Sequence, residues 1–329
     1  MTAAIRTAPQ PLQRAPELRP MPAPGRLSAV MLGCGVVGGG VADRLPAGIA
    51  LLGVLARTPR EARVGGAPVT TDPDALFALD PDLVIEALPA GADAERLLER
   101  AVVEGRHVIT ANKDVAARRP DLARRAADAG RVFACSAAVG GGAPILETAA
   151  ALRESGAGLV RVRGVLNGTS NFVLDRLAAG ESLKSAVAAA QAAGFAEADP
   201  SADLDGVDAA NKLALIARAA WGAELDPASI KTESISALPK QTARAVRESG
   251  RVLRQVATLG RRGAAITARV RLEAVEPGDP AGRARGEGNI AVFQPERGAE
   301  VIVAGKGAGR EPTAASVIAD IERLLERCR

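Results

Sequence analysis

Five carboxylates and one lysine fall within a single short stretch of this chain. Gly194 to Lys212 reads GFAEADPSADLDGVDAANK, and its ionisable residues are Glu197, Asp199, Asp203, Asp205, Asp208 and Lys212. Acids this crowded repel one another and raise each other's pKa unless a cation sits among them. A metal, a substrate ammonium group and Lys212 itself are the candidates, and each implies a different chemistry.

Calcium is the first to test. Ser201-x-Asp203-x-Asp205-Gly206 has the spacing of an EF-hand loop, with glycine at the sixth position. The twelfth position of such a loop is a bidentate glutamate. Here it is Lys212, which repels the ion, so calcium is rejected.

Asp208 and Lys212 are four residues apart and share one face of the helix DAANKLALIARAAW. Leu213, Ile216, Ala217 and Ala220 follow a different stripe, the expected core face. An isolated pair at this spacing is a surface pair worth about 0.3–0.5 kcal/mol. The four acids ahead of it argue for a polar pocket instead, because a surface helix gains nothing from such crowding. In that pocket Glu197 and Asp203 hold an ammonium group. Lys212, oriented by Asp208, exchanges a proton with an oxygen. An ordinary lysine has a pKa near ~10.4 and so acts as the acid in a reduction. Burial or a neighbouring cation such as Lys113 is needed before it can act as a base.

A second constellation is Gly33-Cys34-Gly35-Val36-Val37-Gly38, directly after an apolar run over 29–32 and at the start of a helix. G-x-G-x-x-G in that context is a dinucleotide fingerprint. Gly33 permits the tight turn, Gly35 lets the backbone approach a pyrophosphate, and Gly38 allows close helix–strand packing. Val36 and Val37 begin the helix whose N-terminus favours the phosphates. The second strand ends Leu55-Ala56-Arg57-Thr58, without the acid that selects NAD. Arg57 is therefore assigned to the 2′-phosphate of NADP. Lys113, in Thr110-Ala111-Asn112-Lys113, follows another strand and reaches a nicotinamide or a substrate oxygen; a plain surface lysine is the other reading.

Strands are expected over 29–32, 49–55, 82–88, 106–110 and 131–135, with helices to 45 and over 94–104 between them. Strands alternating with helices imply an α/β fold with a doubly wound parallel sheet of the Rossmann type. After Pro144 the pattern changes. Helices are expected over 145–154, 207–221 and 313–326, and strands over 159–166, 265–275, 290–293 and 300–304. These define a second, α+β unit with a mixed sheet. The expected division is a nucleotide unit over 27–137, completed by the helix within 310–329, and a dimerisation and catalytic unit over 138–309. Residues 1–26 are rich in Pro, Ala and Arg with Glu17 as their single acid. They read as a disordered tail or, alternatively, an organellar transit peptide.

Composition narrows the chemistry. The 329 residues are 47% hydrophobic and 24% charged, as in a soluble two-domain protein. No apolar run approaches the roughly 18 residues of a membrane span. The net charge of +4 is scattered and argues against nucleic acid. Cys34, Cys135 and Cys328 lack metal-ligand spacing and read as reduced thiols of a cytoplasmic protein. There is no tyrosine and one histidine, His107, which excludes a Tyr-x-x-x-Lys dehydrogenase and a zinc alcohol dehydrogenase. Proton transfer is left to Lys, Asp, Glu, His107 or water. His107 is most simply a structural hydrogen-bonding residue, and Trp221 a core residue at a helix end.

With these residues in view, the chain from about Leu27 resembles the homoserine dehydrogenase family. The resemblance is carried by Gly164-Val-Leu-Asn-Gly-Thr-Ser-Asn171, by Gly194–Lys212 and by GCGVVGGG. Thr110–Lys113, Val139-Gly-Gly-Gly-Ala-Pro-Ile145 and Gly305-Lys-Gly-Ala-Gly309 support it. It implies NAD(P)(H)-dependent interconversion of L-homoserine and L-aspartate 4-semialdehyde, on the route to threonine, methionine and isoleucine. It implies that Lys212 donates or accepts the proton, that Glu197, Asp203 and Asp208 contact substrate or orient that lysine, and that Lys113 lies beside nicotinamide and substrate. Gly168 and Thr169 fall to substrate and Gly307 to cofactor. A homodimer paired through the second sheet is implied too. Some members bind sodium through carbonyls matching Val139, Gly141 and Ala143, but the family's frequent acid three residues earlier is Ser136 here. The sequence ends soon after the GKGAG helix, so no C-terminal ACT domain and no threonine inhibition through one are expected.

Two rivals are weighed against this. A cysteine-dependent aldehyde dehydrogenase would use Cys135, but a thiolate needs a basic partner and only His107 is offered. A non-catalytic NADP-binding sensor would not need Lys113, Asp208 and Lys212 together.

Overall fold

The computed structural model describes residues 26–58 and 63–328. The expected tail therefore lies outside the described residues, except for Arg26. Near-continuous apolar runs such as LSAVML are typical of strands buried on both faces in a parallel sheet. Six of these strands form the first sheet: β1 (Leu27–Leu32), β2 (Ile49–Leu55), β3 (Val69–Thr70), β4 (Leu83–Glu86), β5 (His107–Thr110) and β6 (Phe133–Ala134). They are parallel in the order β3-β2-β1-β4-β5-β6, the doubly wound arrangement whose crevice opens beyond the strand ends between β1 and β4.

The second sheet contains β7 (Leu159–Val165), β8 (Lys231–Thr232), β9 (Val252–Arg262), β10 (Ala265–Val275), β11 (Gly288–Pro295) and β12 (Val301–Lys306). Its order is β12-β11-β7-β9-β10-β8, antiparallel except for the short parallel β8 edge, and so mixed as expected. The central strand β9 was not anticipated from the sequence. One face packs on the helices Ile145–Glu154 and Val207–Trp221 through Leu213, Ile216, Ala217 and Ala220, the stripe expected to face the core. On the opposite face Val292 lies beside Ile302, which is 50% exposed.

The helix Arg310–Arg327 returns to the first sheet. Its Ala314, Val317, Ile321 and Leu324 share one apolar cluster with Leu27, Ala29 and Met31. The approach is close: a Cβ added to Gly40 would lie 3.1 Å from that of Ala314. Arg310 pairs with Asp43 at 2.6 Å across the same contact. No helix among the described residues is long and apolar enough to cross a membrane.

Candidate active site

A cleft of about 1180 Å³ runs between the two sheets. Leu88 and Lys113, just beyond the ends of β4 and β5, line one side, and Asn167, Asp203, Asp208 and Lys212 line the other. Asn112 caps the helix Lys113–Arg118 by accepting from the Val115 amide at 3.2 Å, which fixes where Lys113 leaves the strand.

Asp208 is the centre of the cluster. It sits one residue into the helix Val207–Trp221 and is 2% exposed. Lys212, one turn later, places Nζ 2.8 Å from Asp208 Oδ2. Lys113 places Nζ 2.5 Å from Asp208 Oδ1. Burial alone would raise the Asp208 carboxyl, but the ammonium groups of Lys212 and Lys113 overcome it and hold it well below the usual carboxylate range. Burial would lower Lys113, yet Asp208 more than reverses that and holds it above an ordinary lysine. Asp203 is raised by burial and by the neighbouring Asp208 charge, against weaker pulls from Asn167 and Lys113.

Two groups that sequence reasoning missed complete the cluster. Asn167 donates to Asp203 Oδ1 at 2.6 Å and to Asp208 Oδ2 at 2.7 Å, holding two carboxylates apart with one amide. Its own carbonyl accepts from the Ser170 amide at 2.8 Å and caps the helix Gly168–Ala178. Asparagine directly before Gly-Thr-Ser is a helix-cap signal, and that signal located it without revealing its second role. The Leu166 carbonyl accepts from Lys212 at 2.5 Å, so two of the three ammonium donors are fixed and one is left for the cleft.

The remaining acids separate. Glu197 is exposed on the cleft wall. Asp199 also lines the cleft and accepts from the Ser201 amide at 3.0 Å. Asp205 turns away to Ser234, at 2.5 Å. Thr169 donates to the Phe195 carbonyl at 2.6 Å, and Gly168 packs so closely that an added Cβ would lie 2.8 Å from Glu287 Cα.

The glycine turn fits a dinucleotide. Gly33 has φ +98°, and a Cβ there would lie 2.7 Å from the Ala87 carbonyl oxygen. A Cβ on Gly38 would lie 2.0 Å from the Gly33 carbonyl oxygen. A Cβ added to Gly35 would meet nothing described within 4 Å, so that side is open to a pyrophosphate. Val36 begins the helix Val36–Ala42 with its side chain 68% exposed, an apolar surface at the crevice. Arg57 is exposed beyond the end of β2. Gly307, with Ala308 and Gly309, reaches the cleft from the loop before the last helix.

Two of the three carbonyls matched to sodium are already engaged. The Gly141 carbonyl accepts from Ser316, and the Ala143 carbonyl accepts from the Ile145 amide at 2.7 Å. Ser136 supplies no charge: its amide and hydroxyl both donate to Asp320, and the Arg323 guanidinium stands 3.0 Å from its oxygen. Arg323 thus brings a resident cation to Ser136.

Cys135 does not suit a nucleophile. Burial pushes its thiol up to about 12, and a neutral thiol attacks poorly. His107 is buried and accepts from the Val132 amide at Nδ1, 3.0 Å away, with burial and then Arg131 holding it down to about 4. The Trp221 indole donates to the Leu159 carbonyl at 2.7 Å.

Comparison with known proteins agrees with this arrangement. Residues 33–135 match the family model for the homoserine dehydrogenase NAD-binding domain, and residues 144–321 match that for homoserine dehydrogenase. A homoserine dehydrogenase of Pseudomonas aeruginosa is 32% identical over 307 residues, 88% of this chain and 70% of that one. One from Synechocystis is 32% identical over 317 residues, covering 90% and 72%. The crystal structure of a homoserine dehydrogenase from Thiobacillus denitrificans superposes with a TM-score of 0.85 at 29% identity, covering 91% of this chain and 73% of that one. Both halves of the fold are matched in order, and the cleft lies where they meet: the chain belongs to the homoserine dehydrogenase family.

Proposed function

We propose that this cleft interconverts L-homoserine and L-aspartate 4-semialdehyde with Lys212 as the proton-transfer group. The observation that carries the reading is one buried carboxylate, Asp208, gripping two lysines at the wall of a cleft that also includes Leu88, a neighbour of Gly33 in the glycine turn. The bound dinucleotide supplies the hydride in reduction and takes it in oxidation.

The chain's own residues do the rest. Asp208 and the Leu166 carbonyl hold the Lys212 ammonium at a fixed angle, so its remaining N–H points to the substrate oxygen. As the aldehyde is reduced, negative charge grows on that oxygen. Lys212 gives it a proton, directly or through a water. Lys113, more exposed and still cationic, stabilises the same charge without moving. Glu197 and Asp203 face the cleft as ligands for the substrate ammonium, with Gly168 and Thr169 shaping the wall beside them.

Gly33, Gly35, Val36, Val37 and Gly38 hold the pyrophosphate, and Gly307 approaches from the other side. Arg57 selects NADP(H) over NAD(H), since Leu55-Ala56-Arg57-Thr58 at the end of β2 offers no acid to take a ribose hydroxyl. Two copies pair through the second sheet, where Val292 lies beside the half-exposed Ile302 near the β12 edge. The enzyme works in the cytoplasm.

The test is oxidation of NADPH with aspartate semialdehyde, followed by nicotinamide absorbance and repeated with NADH. Turnover with NADPH, and slower turnover with NADH at equal concentration, is the expected result. Absence of turnover with the semialdehyde would overturn the substrate, and a preference for NADH would overturn the role of Arg57.

A further inference from the structure

Glu86 closes β4 and is 0% exposed, and among the described residues it has no ion-pair partner. An isolated carboxyl in a sheet interior is costly, and the mechanism above makes no use of it. Its surroundings explain its presence. Parallel register sets Glu86 beside Thr110 of β5. The Thr110 hydroxyl donates to Glu86 Oε2, and the Leu88 amide donates to Oε1 at 2.7 Å. The Thr110 oxygen in turn accepts from the Asn112 amide at 2.9 Å. Leu88 and Lys113, from the two turns so connected, both line the cleft.

We infer that Glu86 is a positioning residue of the cofactor crevice: its carboxylate ties the Leu88 turn to the Thr110–Lys113 turn, and protonating it weakens its hold on one of the two. A proton on Oε1 makes that oxygen a poorer acceptor for the Leu88 amide. A proton on Oε2 favours turning the bond around, so that Glu86 donates to Thr110 and the Thr110 proton must find another acceptor. The carboxylate, an acceptor at both oxygens, holds both turns more firmly than the acid.

Burial, opposed by the Thr110 and Leu88 hydrogen bonds, pushes this carboxyl up to about 7, so both forms exist near neutral pH. Other ionisable groups nearby are committed elsewhere. Lys113 and Asp114, two turns of chain away, are turned to Asp208 and Asn211. Asp93 and Glu95, on the helix after β4, pair with Arg96 and Arg119. His107 at the far end of β5 is held down to about 4. The β1 strand end offers Leu32 and the glycine turn, whose one titratable residue is Cys34.

The inference rests on the cleft as a nucleotide site and not on the identity of the substrate. NADPH affinity, measured by nicotinamide fluorescence without substrate, therefore tests it separately. Glu86→Gln mimics the protonated form at every pH. Because the 2′-phosphate itself titrates near ~6, the quantity to read is the ratio of variant to wild-type Kd. The loss of one buried hydrogen bond predicts a ratio of about five at pH ~8, falling to about one at pH ~6. A ratio that stays constant across this range overturns the inference, because a merely structural glutamate weakens binding equally at both. Should Glu86→Gln not fold, Thr110→Val serves. It cuts the same tie at every pH, so the ratio of variant to wild-type Kd should again fall from about five at pH ~8 to about one at pH ~6, and a constant ratio overturns the inference.

Discussion

Lys113 and Lys212 grip opposite oxygens of one carboxylate, Lys113 at Oδ1 of Asp208 and Lys212 at Oδ2. One lysine opens the short helix that follows β5 and the other lies on the long helix of the second unit. The carboxylate between them therefore does two things: it pins the halves of the cleft together and aims both ammonium groups at the same space.

Asp208→Asn leaves two ammonium groups facing a neutral amide. Removing one partner from a buried ion pair costs about 3–5 kcal/mol, and solvent screening of the more exposed Lys113 places the expected loss near ~3 kcal/mol. Urea unfolding measures it, and a loss under about 1 kcal/mol would contradict the pinning role. The pH dependence has a definite sign. The folded carboxyl lies below its ordinary value of ~3.9, so its contribution is complete above that pH and is lost as acid protonates it. The wild type should show this loss and the variant should not.

Lys212→Ala should lower kcat by about 10²–10⁴-fold, the usual contribution of a positioned acid or base. NADPH affinity should stay within about twofold, since Lys212 bonds only Asp208 and the Leu166 carbonyl. Steady-state rates and a binding titration check both halves. Retention of more than about a tenth of the rate removes Lys212 from the proton path.

The three fingerprint glycines should fail in different ways. Gly38→Ala drives a methyl into the Gly33 carbonyl, and Gly33→Ala combines a clash with a left-handed backbone, so both should unfold at clearly lower temperature. Gly35→Ala has open space and should melt like the wild type, yet lose nucleotide affinity by about tenfold or more because the methyl stands where the pyrophosphate approaches. Thermal melts paired with NADPH titration separate the two effects.

Arg57→Ala should raise the KM for NADPH by about tenfold, the worth of one charge-assisted contact, and leave that for NADH unchanged. Equal effects on both cofactors would remove Arg57 from the phosphate.

Ile302→Glu places a charge at a half-exposed position of the second sheet without touching the cleft. Sedimentation should show the dimer replaced by monomer at micromolar concentration, while far-ultraviolet circular dichroism remains that of the wild type. An unchanged dimer would move the interface elsewhere.

What could be read from the sequence follows the range of the interactions. The glycine turn and the Asp208–Lys212 pair are local, and residue type with spacing was enough to place them. The Lys113–Asp208 contact and the Asn167 bridge join segments that meet only once both sheets have formed, and no local pattern encodes them. Strand β9 was missed for a related reason. Arg254 and Gln255 interrupt its apolar pattern, and both are buried because distant groups satisfy them: Asp175 and the Ala284 carbonyl for Arg254, the Leu204 and Glu233 carbonyls for Gln255. Glu86 gave no signal at all, since one acid at a strand end looks the same whether it faces water or a buried threonine.

The return of the helix Arg310–Arg327 to the first sheet has a consequence for how this protein is made. Val317, Ile321 and Leu324 are fully or nearly fully buried there, each worth about 1.5–3 kcal/mol. A ribosome releases β1 to β6 long before it releases that helix. Throughout synthesis of the second sheet, the apolar face around Leu27, Ala29 and Met31 has Val41 and Ala42 against it but lacks the last helix. The nucleotide-binding half, although first in the sequence, is completed only when its last helix has been made.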